Sequence, residues 1–209
     1  MTLDLDPTDL EGGPAHRVLT SLVAPRPIGW IATRDGAGRN NLAPYSFFNA
    51  VASAPPMVMF AVNGRKGGRV AGDEAKDSLT NIRETGVFCV NLVSEALTDA
   101  MNISSGAYAR GDDEFGLAGL TPAPCQTIDC VRVGESPASL ECRLHEIIRL
   151  PSWGEAENRL VIGMVTGIHV AESVIVEGKV DVTRYGPMSR LGYMDYAVVR
   201  DTFVLNRPR

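Results

Sequence analysis

Short apolar runs separated by turn residues are the feature that most constrains this chain. Between the first two runs lies Asp35-Gly36, a pair that favours a tight hairpin turn. Strands and helices do not alternate regularly, so the pattern does not indicate a parallel sheet. The pattern therefore predicts an antiparallel β-barrel with peripheral helices. The strand-like runs cover residues 28–33, 40–53, 57–63, 87–93, 138–150 and 159–170.

Helical patterns are few and short. In the second of them, either Asp77 or Ser78 can cap the start, and Gly86 can end the helix. The whole chain of 209 residues predicts one domain, with residues 1–13 and 201–209 as terminal extensions. The predicted helices cover residues 14–22, 76–86 and 95–103. Little regular structure is expected in the loop at 64–74, in the segment 104–137 and in the tail from Asp181.

Charge and composition exclude several functional classes. The 25 acidic and 20 basic residues leave a net charge of −5, which argues against binding nucleic acid by phosphate neutralisation. No run of 18 apolar residues predicts a membrane span, and the acidic N-terminus predicts no secretory signal. The cysteines form no C-x-x-C pair, so we expect reduced structural thiols, no metal site and a cytoplasmic protein. They are Cys89, Cys125, Cys130 and Cys142.

The run at residues 40–53 mixes aromatic rings with amides and a hydroxyl. If it forms one strand, successive side chains alternate between its two faces. Such a strand could bind a flat heteroaromatic ring through its backbone groups while an aromatic side chain covers the ring. An ordinary barrel strand with polar residues outside is the alternative. The alternation predicts one face with Tyr45, Phe47 and Asn49, and another with Ser46, Phe48 and Ala50.

A second candidate site is the predicted helix start at Lys76, Asp77 and Ser78. A helix N-terminus favours an anion, and the lysine and serine add a positive charge and a hydroxyl donor. Further basic residues lie upstream, at Arg65, Lys66 and Arg69. The alternative is an ordinary capped helix with solvated charges. Together with the aromatic run, this helix start predicts a phosphorylated heteroaromatic cofactor.

Several of these segments are familiar. The stretches S-L-V-A-P-R-P-I-G-W-I-A-T, N-L-A-P-Y-S-F-F-N-A-V-A-S and K-D-S-L-T-N-I resemble the flavin reductase-like family, and so do D-E-F-x-L-A-G-L-T-P and S-R-L-G. The resemblance extends from about residue 14 to residue 200. It implies a mainly β fold, a six-stranded antiparallel split β-barrel that binds FMN. It also implies a homodimer with FMN near the dimer interface.

The resemblance also implies which residues contact FMN. Lys76 and Ser78, with Asp77 between them, would hold the phosphate, and Asn81 lies one turn further on. Thr33 would lie beside the ring. Arg190 matches the S-R-L-G segment, while His16 stands where the family usually has tyrosine. The isoalloxazine and ribityl chain would be lined by Asn41, Leu42, Ala43, Pro44, Tyr45, Ser46, Phe47, Phe48 and Asn49.

For the reaction, the resemblance implies an NAD(P)H-dependent flavin reductase, with NADH or NADPH as co-substrate. Flavin carries hydride at its N5 atom, so we predict no catalytic acid or base from the chain. A partner oxygenase or redox protein could take the electrons. Two alternatives stay open on the same fold: a flavoredoxin-like electron carrier, and a flavin-binding protein without turnover.

Overall fold

Antiparallel strands dominate this protein. The computed structural model describes residues 13–64, 76–152 and 157–208. The α-helices are α1 (Pro14–Leu22), α2 (Asp77–Thr85), α3 (Thr98–Ser104) and α4 (Glu114–Leu117). Single 3-10 turns lie at Glu95–Leu97, Glu172–Val174 and Val182–Arg184.

The strands of the main sheet are β2 (Gly29–Arg34), β3 (Asn40–Tyr45), β4 (Phe48–Ser53), β5 (Pro56–Val62), β6 (Val87–Leu92), β9 (Ala138–Leu150) and β10 (Asn158–Val170). The smaller strands are β1 (Arg26–Pro27), β7 (Pro122–Pro124), β8 (Val131–Val133), β11 (Ile175–Val176), β12 (Lys179–Val180), β13 (Met188–Arg190) and β14 (Tyr196–Val198). Each predicted strand run therefore contains at least one strand, within a residue or two of the expected bounds.

The main sheet has seven strands in the order β3-β2-β6-β9-β10-β5-β4, and every neighbouring pair is antiparallel. Its two edges curl towards each other. The Phe47 carbonyl accepts a hydrogen bond of 2.8 Å from the Ala61 amide, and the rings of Tyr45 and Phe60 lie 4.9 Å apart. The predicted mainly β barrel is confirmed, with seven main-sheet strands against the six implied.

The extra strand arises because the run at residues 40–53 is broken in the middle. Ser46 and Phe47 lie between β3 and β4, which occupy opposite edges of the sheet. Tyr45 and Phe48 are both buried in the same core. The predicted two-face alternation through the run was therefore wrong, because the chain crosses from one sheet edge to the other and loses its period of two.

The hydrophobic core lies on both sides of the main sheet. Inside the barrel, the rings of Phe60 and Phe88 meet edge to face at 5.4 Å, and Ile31 and Val161 pack around them. On the outside, Trp30 and Phe115 belong to a second cluster. This cluster lies where α3 and α4 pack on β3 and where β8 packs on β2 and β6.

Helix α2 begins earlier than its capping pattern predicted, because Asp77 is already its first residue. Its N-cap is Lys76, whose side chain makes no capping hydrogen bond, so the predicted cap at Asp77 or Ser78 was wrong. The Ser78 hydroxyl is bonded instead to a side chain of β3. Gly86 ends the helix as predicted, in the left-handed conformation at φ 71° that glycine adopts without a Cβ clash.

The tail is more regular than expected, since β13 and β14 form a small sheet with β1. The segment 104–137 likewise contains α4 and the β7–β8 hairpin. Except for Gly64, the predicted loop at 64–74 lies outside the described residues. Within the described ranges, no helix combines the length and apolar character that crossing a membrane requires.

Candidate functional site

A cavity of about 200 Å³ lies between strand β3 and the start of helix α2. It brings together seven of the residues predicted to bind a cofactor. These are Asn41, Ala43, Pro44, Tyr45, Lys76, Asp77 and Ser78. The two segments that the sequence pattern singled out separately are thus walls of one cavity.

The helix start provides the cavity with groups that bind anions. The N-cap residue Lys76 makes no capping hydrogen bond through its side chain, and Lys76 and Ser78 line the cavity at that end. The Lys76 Nζ atom lies 5.6 Å from the centre of the Tyr45 ring, a cation–π distance. Ser78 Oγ accepts a hydrogen bond of 3.0 Å from the Asn41 side-chain amide, which ties β3 to the helix.

Tyr45 forms the aromatic part of the wall. Burial raises the pKa of Tyr45 to about 12, although a hydrogen bond with Ser78 acts in the opposite direction. The phenol is therefore neutral throughout the physiological pH range, and its charge does not oppose an anion in the cavity.

Two buried carboxylates also line the cavity, at Asp77 and Glu114. Glu114 Oε2 accepts a hydrogen bond of 3.2 Å from the backbone amide of Leu42, and Asp77 lies 4.0 Å from the guanidinium of Arg110. Each carboxylate has a donor or a cation beside it, which reduces its repulsion of an anionic ligand. Glu114 was not among the predicted site residues, although it lies in the quoted D-E-F motif.

The end of helix α3 closes the other side of the cavity. The indole N–H of Trp30 donates a hydrogen bond of 2.8 Å to Ser104 Oγ, and both groups are buried. This bond fixes the helix end against β2. The sequence analysis missed this wall because only the packing of α3 against the sheet brings it near β3. It consists of Ser104, Ser105, Gly106 and Ala107.

A second depression, of about 330 Å³, adjoins the first. Pro44 and Ser105 line both, so the two are neighbours, and we call them together the groove. Of the predicted site residues, Ser46 and Arg190 lie here. The remaining lining residues are Ile28, Met101, Asn102, Met194 and Tyr196.

Six predicted contact residues line neither cavity. Thr33 and Asn81 are buried and bond to each other, with 3.1 Å between Thr33 Oγ1 and the Asn81 side-chain amide. Asn49 is exposed on β4. Leu42 and Phe48 pack in the two cores, and the Phe47 ring lies 5.8 Å from the guanidinium of Arg26. For all fifteen predicted residues, flavin contact itself stays a prediction.

The groove suits a ligand with a phosphate at one end and a ring system at the other. Its Lys76 end has a cation, a hydroxyl and the start of a helix, while its Pro44 and Tyr45 wall is apolar and aromatic. Among the described residues, no cluster of three or more histidine, cysteine, aspartate or glutamate side chains could hold a metal ion.

Comparison with known proteins places this chain in one family. Residues 22–189 match the flavin reductase like domain. The chain therefore belongs to the flavin reductase-like family, and its barrel is the split barrel of that family.

Relatives and solved structures agree with this assignment. Nitrilotriacetate monooxygenase component B from Bacillus cereus superposes with a TM-score of 0.87 at 30% identity, over 98% of this chain and 99% of that one. The 2-nitrobenzoate 2-nitroreductase NbaA from Pseudomonas fluorescens has a TM-score of 0.83 at 28% identity, over 99% and 96% of the two chains. An uncharacterized protein of Deinococcus radiodurans is 36% identical over 97% of this chain and 88% of its own length.

Proposed function

We propose that this protein binds FMN and reduces flavin with NADH or NADPH. The observation that carries the proposal is the shared cavity, in which the start of helix α2 at Lys76 and Ser78 faces the wall of β3. Family membership supports the same cofactor class. Bound flavin would supply the hydride chemistry at its N5 atom.

The residues of the groove fit this cofactor. Lys76, the Ser78 hydroxyl and the first turn of α2 would hold the phosphate. Pro44 and Tyr45 offer apolar and aromatic surface to a ring, and the edge strand β3 offers backbone N–H and C=O groups for its polar rim. The chain's part is to bind and orient, which agrees with the lack of a predicted acid–base pair.

Replacing Lys76 tests the phosphate site. Lys76→Ala should weaken FMN binding about tenfold or more, because one charge-assisted contact with the phosphate is lost. The dissociation constant is measured by titrating flavin fluorescence. Lys179→Ala, on the exposed strand β12, is the matched control and should bind FMN as the parent does. An unchanged constant for Lys76→Ala would place the phosphate elsewhere.

Reductase activity is tested by mixing the protein with FMN and either NADH or NADPH and following absorbance at the nicotinamide band. Oxidation of one nucleotide supports the reductase. Flavin that binds without nucleotide oxidation would instead favour an electron carrier for a protein partner. A preparation that stays colourless after FMN is added would contradict the claim that the protein binds FMN.

We further propose that the reduced flavin supplies a partner oxygenase. Similarity to component B of a monooxygenase supports this role. Ultrafiltration after anaerobic reduction tests it, because a flavin supplier should release reduced FMN into the filtrate. Retention of all flavin by the protein would contradict it.

We also propose a homodimer, as the family resemblance implies. Three consecutive large apolar side chains in the C-terminal segment support it, since Phe203, Val204 and Leu205 are each more than 80% exposed. Contiguous exposed apolar surface of this kind marks an interaction site, and a second copy of the chain is the occupant we propose.

We also propose a cytoplasmic location, which cell fractionation tests.

A further inference from the structure

Three of the four thiols meet on the outside of the main sheet, at the turn of the β7–β8 hairpin. Cys89 lies on β6, and Cys125 and Cys130 lie at the two ends of that turn. Cys89 and Cys130 are buried in the outer core cluster, and Cys125 packs against the same cluster while staying partly exposed. None of the three is among the described residues that line the groove.

Cys125 accepts hydrogen bonds from both of its neighbours. The thiols of Cys130 and Cys89 donate to the Cys125 sulfur, and these bonds outweigh burial and lower the pKa of Cys125. The same bonds, together with burial, raise the pKa of Cys89 and of Cys130. The most exposed of the three sulfurs therefore loses its proton, and the two buried thiols keep theirs and stabilise the charge.

Charged groups from the neighbouring strands surround this turn. After the thiol bonds and burial, Glu141 on β9 raises the pKa of Cys125 and His169 on β10 lowers it. The His169 ring is bonded to the Glu141 carboxylate, so the two charges partly offset each other. Arg143 donates a hydrogen bond of 2.8 Å to the Thr127 carbonyl, which brings a guanidinium to the turn two residues from Cys125.

The fourth thiol, Cys142, is an internal comparison. It lies on β9 but belongs to the core inside the barrel, where it is 0% exposed. Burial above all raises the pKa of Cys142. A thiol in this position keeps its proton and is shielded from a polar oxidant, as in an ordinary structural cysteine.

The hairpin holds Cys125 and Cys130 at the spacing of a disulfide. Strands β7 and β8 pair Pro124 with Val131, and one further step places Cys125 opposite Cys130. The Cys125 amide donates a hydrogen bond of 3.1 Å to the Cys130 carbonyl. Directly opposite residues of an antiparallel pair have Cα atoms about 4.5–5.5 Å apart, which is within the range that a disulfide spans. Both cysteines are free thiols in this structure.

We propose that Cys125 is a peroxide-reactive thiol and that Cys130 resolves its oxidised form to a reversible disulfide. The Cys125 thiolate attacks one oxygen of hydrogen peroxide, the O–O bond breaks, and the other oxygen leaves as hydroxide, which takes up a proton to give water. The Cys130 sulfur then attacks the Cys125 sulfenic acid, an S–S bond forms, and the sulfenic oxygen leaves as a second water. Two thiols lose two electrons, and the peroxide gains them.

This modification site is separate from the proposed flavin chemistry, because its residues lie outside the groove. It replaces the expectation of purely structural thiols for two of the four cysteines. A transient bridge also fits the cytoplasmic location that we propose, since disulfides in reducing compartments are usually catalytic or redox-sensing.

Peptide mapping after oxidation tests the bridge. The full chain is treated with hydrogen peroxide, its remaining thiols are alkylated in urea, and a protease that cuts before aspartate cleaves between Ile128 and Asp129. Cys125 and Cys130 then fall on separate peptides unless a disulfide joins them. We expect a joined pair that dithiothreitol separates, with Cys89 and Cys142 recovered in alkylated form.

Reaction rates test the activation of the thiol. At pH 7 and limiting peroxide, Cys125 should react about tenfold or more faster in the folded chain than in urea, because an ordinary thiol is only a few per cent ionised at that pH. Cys142 should show the opposite order, since folding buries it.

Variants separate the two roles. Cys130→Ala removes the thiol opposite Cys125, so the sulfenic acid should persist and be captured by dimedone on Cys125. Cys125→Ala should give neither a bridge nor a dimedone adduct. Cys142→Ala is the matched control and should form the bridge as the parent does. Thermal unfolding of each variant confirms that the chain remains folded, and the mapping of the parent protein needs no variant.

Three results would overturn the proposal. The first is a Cys125 that reacts no faster in the folded chain than in urea. The second is dimedone labelling of Cys142 in the folded chain to the same extent as Cys125. The third is a parent protein that forms no bridge, or one that joins Cys125 to Cys89 instead of Cys130.

Discussion

At the scale of single residues, Glu141 is a buried charge held by several hydrogen bonds. Its side chain on β9 is 0% exposed. Its carboxylate accepts hydrogen bonds from the amides of Gln126 and Thr127, the Thr127 hydroxyl and the His169 ring. Burial alone would raise the pKa of Glu141, but these bonds, led by the Thr127 hydroxyl, outweigh it and hold the pKa at about 2.

This carboxylate predicts a specific acid sensitivity. Because its pKa is lowered in the folded state, its stabilisation is fully present above the ordinary pKa of glutamate and is lost as the pH falls towards 2. The amount is on the order of 3 kcal/mol. Glu141→Gln should therefore unfold at lower urea concentration than the parent at pH 7, and the gap should narrow below about pH 4.5.

The control for this prediction lies on the same strand. Glu146 is exposed, so Glu146→Gln should leave the urea midpoint nearly unchanged at every pH. A gap between parent and Glu141→Gln that stayed constant from pH 7 to pH 3 would show that ionisation of this group does not stabilise the fold.

At the scale of elements, helix α2 is held against the sheet by two buried hydrogen bonds. Asn41 on β3 donates to Ser78, and Asn81 donates to Thr33 on β2. These bonds set where Lys76 stands in the cavity. Thr33 and Asn81, which the sequence predicted as flavin contacts, therefore position helix α2 in this structure.

Thr33→Val should break the second bond and leave the buried Asn81 amide without an acceptor. We expect a loss of about 1–3 kcal/mol in the free energy of unfolding, measured by urea denaturation. Thr80→Val is the control on the same helix, since its hydroxyl makes only a long contact of 3.5 Å with the Lys76 carbonyl. Equal losses in the two variants would show that the Thr33 bond contributes nothing of its own.

Local patterns predicted most elements but not their arrangement. The hairpin between β2 and β3 and the stop at Gly86 depend on neighbouring residues, and both were found as expected. The left-handed residue of the hairpin turn is Gly38, at φ 83°, and not the predicted Asp35-Gly36 pair. The break at Ser46 and Phe47 was missed, because a strand pattern does not reveal which sheet edge a strand joins. Glu114 was missed as a site residue for a similar reason, since only long-range packing brings α4 to β3.

At the scale of the whole molecule, the C-terminal segment exposes apolar side chains that a binding partner would bury. Residues 201–208 are exposed along their whole length and contain the apolar triplet at 203–205. Burying three such side chains would contribute about 1.5–3 kcal/mol each to association, before the entropic cost of ordering the segment.

Charging this triplet should weaken the proposed dimer. We expect the double substitution Phe203→Asp and Leu205→Asp to shift the molar mass measured by light scattering from dimer towards monomer. Leu117→Asp is the matched control, because Leu117 is also an exposed leucine but lies on α4. A dimer that persists unchanged in the double variant would show that the interface lies on another surface.

The two-residue link at Ser46 and Phe47 also limits how the barrel can move. Three Cα steps separate Tyr45 from Phe48, which caps the distance between them at about 11 Å. Strands β3 and β4 therefore cannot separate at this link to admit a ligand. We expect entry past the segment that carries Gly106 and Ala107, which lines the cavity and has no regular structure between α3 and α4. Hydrogen exchange should accordingly be fast for amides 105–112 and slow for amides 42–48, and the reverse order would place the entrance at the link.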